Sequence, residues 1–100
     1  MDRRPIELHP DAVDEARNAR QWYAERSSIA AGAFLTELDV AIERICTSPG
    51  RWAEYLHGTR RYSMKRFPYL VVYRETGDKL QVVAVAHSKR KPGYWRRRLS

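Results

Sequence analysis

The chain has 100 residues, 43% hydrophobic and 11% aromatic, with a formal net charge of +7. That length predicts a single domain over residues 1–100 with an adequate but not generous core, and the single Cys46 excludes an internal disulfide and a cysteine-based zinc site. No apolar run is long enough for a membrane span, and Met1-Asp2-Arg3-Arg4-Pro5 has no apolar stretch behind its charges, so it is not read as a secretion signal; a cytoplasmic protein is expected.

Ile6-Glu7-Leu8-His9 alternates apolar and polar residues and predicts a short strand. Pro10 suits the first turn of a helix, where no amide donor is needed, and Asp11, Asp14 and Glu15 sit where carboxylates favour a helix N-terminus. Ala12, Ala16, Ala19 and Tyr23 form one stripe, giving a first helix over about residues 10–26. Ser27-Ser28 breaks it and caps a second helix. In that helix Ala31, Phe34, Leu35, Leu38, Ala41, Ile42 and Ile45 recur every three or four residues, an apolar stripe that needs a covering surface. Cys46 falls among these positions and is expected to be a buried, inert thiol. Thr47-Ser48-Pro49-Gly50 is a strong stop, and the short break between the helices implies an antiparallel hairpin.

Residues 49–58 read as a loop anchored by Trp52 and Tyr55. Three strands follow. Thr59 to Lys65 alternates, with Arg61, Ser63 and Lys65 on one face and Tyr62 and Met64 on the other. Tyr69 to Arg74 is strongly β-prone. Glu75-Thr76-Gly77-Asp78 is a hairpin turn, and Lys79 to Ala86 is apolar on both faces, which places it inside the sheet. The predicted fold class is α+β, in the order β-α-α-β-β-β, with a helical hairpin on one face of an antiparallel sheet.

Charge is unevenly placed. Residues 1–50 hold nine acids and six bases, a net of −3; residues 51–100 hold three acids and thirteen bases, a net of +10. Arg60, Arg61, Lys65 and Arg66 accompany one strand, Lys89, Arg90 and Lys91 follow another, and Arg96, Arg97 and Arg98 end the sequence. If these strands share a sheet the clusters can converge on one anionic partner. His87 stands at a strand end beside such a cluster, either as a general acid or base or as a structural histidine bonded to the C-terminal segment. Tyr94 and Trp95 can stack on bases or pin the tail to the sheet through Pro92-Gly93, and pinning is favoured. His9 and His57 have no supporting context. The three histidines lack metal-ligand spacing, so no metal is expected, and no cofactor motif stands out.

A set of short motifs runs in order along the chain: His9-Pro10 with Asp11-Ala12, Trp22-Tyr23, Phe34 with Leu38, Ala41 and Ile45, and Ser48-Pro49 with Arg51-Trp52. They continue with Gly58-Thr59-Arg60-Arg61, Arg66-Phe67-Pro68-Tyr69-Leu70-Val71-Val72-Tyr73-Arg74, and Val83-Ala84-Val85-Ala86-His87 with Arg90, Pro92, Tyr94-Trp95 and Arg98. In these the chain resembles the RelE/ParE superfamily of toxins from bacterial toxin–antitoxin modules, and the ParE-like branch most closely.

The resemblance implies a growth-inhibiting toxin held in a hetero-oligomer by a small ParD-like antitoxin. It implies DNA gyrase as the target, poisoned without catalysis. The alternative it carries is ribosome-dependent cleavage of messenger RNA by a metal-independent endoribonuclease; the other is a non-toxic nucleic-acid-binding domain. For the nuclease alternative the candidate residues are His87, Arg61, Arg90 and Tyr94, although no acidic residue accompanies His87 in sequence. Residues expected to bind target or antitoxin are Arg60, Arg61, Lys65, Arg66, Lys89, Arg90, Trp95, Arg96, Arg97 and Arg98. The antitoxin is expected to bring an acidic segment to the basic half and an amphipathic helix to exposed apolar residues of the hairpin.

Overall fold

The computed structural model describes residues 3–100; Met1 and Asp2, the start of the segment read as lacking a secretion signal, lie outside the described residues. Strand β1 is Ile6–Leu8 and helix α1 is Pro10–Ala24. His9 caps α1, its Nδ1 accepting the Asp11 amide at 3.0 Å, and so ends the strand one residue earlier than its alternation suggested. Helix α2 is Ser28–Thr47. Ser27 takes an extended conformation to cap it, its Oγ accepting the Ala30 amide at 3.1 Å, and that requirement stops α1 at Ala24 instead of Arg26.

Four more strands complete one sheet: β2, Ala53–Glu54; β3, Arg60–Ser63; β4, Tyr69–Thr76; and β5, Lys79–His87. Their order is β1-β5-β4-β3-β2. β5 is interior, as its two apolar faces predicted. The sheet is mixed, however: β1 runs parallel to β5, and every other neighbour is antiparallel. The helical hairpin returns the chain to the end where β1 stops. Three antiparallel steps from β2 to β5 then leave β5 pointing the same way as β1. The short β2 lies in what the sequence suggested was loop, so this count of reversals was not available beforehand.

The helices cover one face of the sheet. Ala12 and Ala19 of α1 and Phe34, Leu38, Ala41 and Ile45 of α2 pack on Tyr62, Val71, Tyr73, Leu80, Val82 and Val85. Phe34 is the hub of an aromatic cluster, with Tyr23, Phe67 and Tyr69 at centroid distances of 5.6, 5.4 and 5.4 Å. Leu35, expected in the apolar stripe, is exposed instead. Cys46 is fully buried, and burial pushes its thiol up, which makes it a poor nucleophile.

The other face carries a second, smaller core of Val72, Val83, Ala84, Ala86 and Trp95. A β-bulge opposite Val72 and Tyr73 places an extra residue, Val83, in β5. It turns Val83 and Ala84 to the same side and widens the apolar floor on which Trp95 lies.

Tyr73 is buried in the helix-side core, its hydroxyl donating to the Pro49 carbonyl, and burial pushes its pKa from 10.0 up to about 12. The unfolded phenol ionises near 10 and the folded one near 12, so this contribution to stability is complete below pH 10 and is lost as pH rises towards 12. The expected slope is at most about 1.4 kcal/mol per pH unit for one phenol. Denaturant unfolding of Tyr73→Phe between these pH values should show a shallower loss; an unaltered slope would contradict the assignment.

Candidate functional site

A cleft of about 480 Å³ opens between α1 and the end of β5, walled by Asn18, Trp22, Tyr23, Tyr69, His87 and Arg90, with Glu15 at one side. It arises because β1 is short. β1 pairs β5 only as far as Leu8 opposite Val82, so beyond Val82 the outer edge of β5 has no strand beside it. Buried edge amides and carbonyls need partners, and here side chains supply them. Glu15 Oε1 accepts the Val85 amide at 3.0 Å, and Arg98 Nη1 donates to the Val83 carbonyl at 3.1 Å. Glu15 and Arg98 also bind each other through both carboxylate oxygens, at 2.9 and 3.0 Å. The ion pair thus stands in for the missing strand.

This clamp gathers the tail. Tyr94 donates its hydroxyl to Glu15 Oε2, and Arg90 lies 3.5 Å from the same oxygen with its guanidinium 3.6 Å above the Tyr94 ring. Asp11 is a further partner of Arg98, at 3.5 Å. Burial, and then the Glu15 hydrogen bond, holds the Tyr94 phenol far above its usual range. Tyr94 is therefore a fixed donor and does not serve as a base near neutrality. His87 Nδ1 accepts the Lys89 amide at 3.1 Å, which puts the neutral ring's proton on Nε2, and the ring meets Tyr69 edge-on at 5.1 Å. The cleft thus offers an imidazole N–H and a guanidinium, both donors.

The remaining expected site residues disperse. Arg60 and Arg61 are adjacent in β3 and point to opposite faces: Arg60 donates to the Trp52 carbonyl at 2.7 Å, while Arg61 lies over the Tyr55 ring on the tail-bearing face. Lys65 is beyond the end of β3, not on its face with Arg61 and Ser63; its amide and that of Arg66 are both held by Glu37, which also pairs the Arg66 guanidinium at 3.1 Å. Lys89 is exposed at the turn after β5. Trp95, expected among the contact residues, is 1% exposed, so it pins the tail and belongs to no contact surface. Arg98 is likewise internal, its side chain 12% exposed. Arg96 and Arg97 remain outside, on the short 3₁₀ turn Arg96–Leu99. Of the expected cations, Arg61, Arg96 and Arg97 thus share the tail-bearing face, while Arg60 turns to the helix side and Arg66 is tied to Glu37 of α2.

Glu15 was missed as a site residue, although its signal was present. It lies between Ala12 and Ala19 at helical spacing, so it is a charge on the apolar stripe, and a charge there needs an internal partner. Asn18 and Trp22 left no comparable signal. Among the described residues no group of three metal-ligating side chains comes together.

A family model described as ParE toxin of type II toxin-antitoxin system, parDE, matches residues 6–92. The chain belongs to the ParE toxin family. A chain from the solved structure of a chromosomal ParDE TA system from P. aeruginosa superposes with a TM-score of 0.76, covering 86% of this chain and 97% of that one at 12% identity, a likeness of fold. No curated protein shows significant sequence similarity to the chain. The ParE match stops at Pro92, so the tail residues Tyr94, Trp95 and Arg98, which complete the second core and the Glu15 clamp, lie beyond the matched segment.

Proposed function

We propose that this ParE-family toxin arrests growth by binding DNA gyrase, with no covalent step of its own, and that a ParD-like antitoxin neutralises it in a hetero-oligomer. The observation that supports a binding mode over a nuclease is the state of Glu15. It is the cleft's only carboxylate among the described residues, and both its oxygens are occupied by donors from Val85, Tyr94 and Arg98. Metal-free cleavage of RNA needs an acceptor for the ribose 2′-hydroxyl proton; Tyr94 and Arg90 provide none, and His87 Nδ1 is already taken by the Lys89 amide. Purified toxin is expected to block gyrase supercoiling or to accumulate cleaved DNA complexes. Unimpaired supercoiling at saturating toxin, with messenger RNA cut on ribosomes, would transfer the function to the nuclease alternative through His87. Either target places the protein in the cytoplasm; no helix among the described residues is long and apolar enough to cross a membrane.

For the antitoxin, α2 presents Ile29, 84% exposed, and Val40 along one flank. Val40 borders a groove with Arg44, Tyr62, Lys65 and Arg66. An amphipathic helix with acidic residues beside its apolar stripe matches that surface. Ile29→Glu combined with Val40→Glu should weaken antitoxin binding roughly tenfold or more by titration calorimetry; unchanged affinity would remove the flank from the interface.

A further inference from the structure

A second concavity lies on the tail-bearing face, where His57 meets Tyr94, Arg96, Arg97, Leu99 and Ser100. His57 is the only non-glycine residue with positive φ among the described residues, at φ 58° and ψ 39°. The left-handed region is costly for a side chain with a Cβ and is usually left to Gly or Asn. Here it is enforced. Thr59, itself buried, closes the turn by donating its amide (3.2 Å) and its hydroxyl (2.6 Å) to the Leu56 carbonyl, and the Tyr55 amide bonds back to the Thr59 carbonyl at 2.8 Å. The strained turn sets the imidazole edge-on against Trp95, at 5.9 Å, and over Gly93. A Cβ at Gly93 would stand 3.4 Å from His57 Nε2, and its φ of 82° also calls for glycine. Two backbone irregularities, one in each segment, thus fit the histidine against the tail.

The neighbouring charges are uncompensated. Arg96 and Arg97 are exposed and make no ion pair or side-chain hydrogen bond among the described residues, whereas Arg98 turns inward to Glu15. Arg61 lies on the same face, its guanidinium 4.8 Å above Tyr55, which itself packs on Trp95.

We propose that His57, Arg96 and Arg97, flanked by Arg61, form a site for backbone phosphates of duplex DNA. Imidazole and guanidinium groups are phosphate donors, and their release of counterions favours a polyanion over a lone ion. A duplex suits the surface better than a single strand. Single-stranded nucleic acid is held by stacking bases on aromatic rings, and here Trp95 is buried, Tyr55 is covered by Arg61, and Tyr94 is covered by Arg90. The contact requires no gyrase and stands independently of that target.

The test is fluorescence anisotropy of the full chain with a labelled duplex of about two helical turns, across a salt series. Arg96→Gln with Arg97→Gln is expected to weaken binding roughly tenfold and to reduce the salt slope by about 2, one for each lost phosphate contact. His57→Asn, which tolerates the left-handed conformation, should weaken it a few-fold with the fold intact by circular dichroism. The control is Arg17→Gln with Arg20→Gln, exposed cations on α1. An equal loss in the control would reduce the effect to net charge and overturn the site. Preference for single-stranded RNA would overturn it as well. So would displacement by inorganic phosphate far beyond chloride of the same ionic strength, which would assign the site to a free phosphate.

Discussion

Glu15→Gln is expected to destabilise the protein by about 2–4 kcal/mol, one of the largest effects of any single conservative change in this chain. The substitution keeps the shape and removes the charge that compensates Arg98, whose side chain is 12% exposed and stays in place beside Val83. A guanidinium left there without its carboxylate carries its desolvation cost unopposed. The amide nitrogen of glutamine must also face one of the donors that Glu15 now accepts from: Val85, Tyr94 or Arg98. For a domain of this size the loss corresponds to a fall in Tm of roughly 10–25 °C, measured by thermal circular dichroism. Adding Arg98→Met should restore part of it, because an apolar side chain of similar length removes the uncompensated charge. A fall of only a degree or two in Glu15→Gln would show that the clamp contributes little.

Trp95→Ala is expected to cost about 3–5 kcal/mol, the range for deleting a large buried aromatic side chain. Trp95 is the largest side chain of the second core, and what lies beneath it is small: Val72, Val83, Ala84 and Ala86. None of these can grow into the space it vacates, so the cavity persists and the apolar floor of the sheet meets water. Against a total stability of about 5–15 kcal/mol this leaves a marginal protein. Urea unfolding of the purified variant, with a dye for exposed apolar surface, reads both consequences. Trp95→Phe should retain more than half of the lost stability. An alanine variant as stable as the parent would mean that the tail does not need its anchor.

Periodicity alone made the helical hairpin and the interior position of β5 legible, because both are set by which faces must be dry. Strand direction was not legible, since it depends on counting chain reversals and β2, only two residues long, is too short to announce itself. The placement of the arginines was legible in part: strand alternation sets Arg61 on the face opposite the helices, where the tail also lies. Arg60 and Arg61 are neighbours in sequence, but β geometry sends them to opposite faces, and in the run Arg96-Arg97-Arg98 the turn after Trp95 drives one of three inward. His57 gave no warning, because left-handed backbone at a non-glycine residue is imposed by the loop closure at Thr59, not by the residue itself. The cleft joins Glu15 to His87 and Tyr94 across more than seventy residues of chain, a proximity that only the packing of α1 on β5 reveals.

The Glu15–Arg98 pair also bears on how this molecule keeps to itself. A β-strand with free amides and carbonyls recruits any extended chain that drifts alongside, including a second copy of the same protein. The outer half of β5 is such a place: apolar, long and central to the fold. Capping the Val85 amide with a carboxylate and the Val83 carbonyl with a guanidinium takes away two of the groups an incoming strand would grip and sets charge beside the edge. Of the sheet's two ends, β1 offers three residues and β2 two. The pair that closes the cleft is therefore also a local obstacle to edge-to-edge strand pairing.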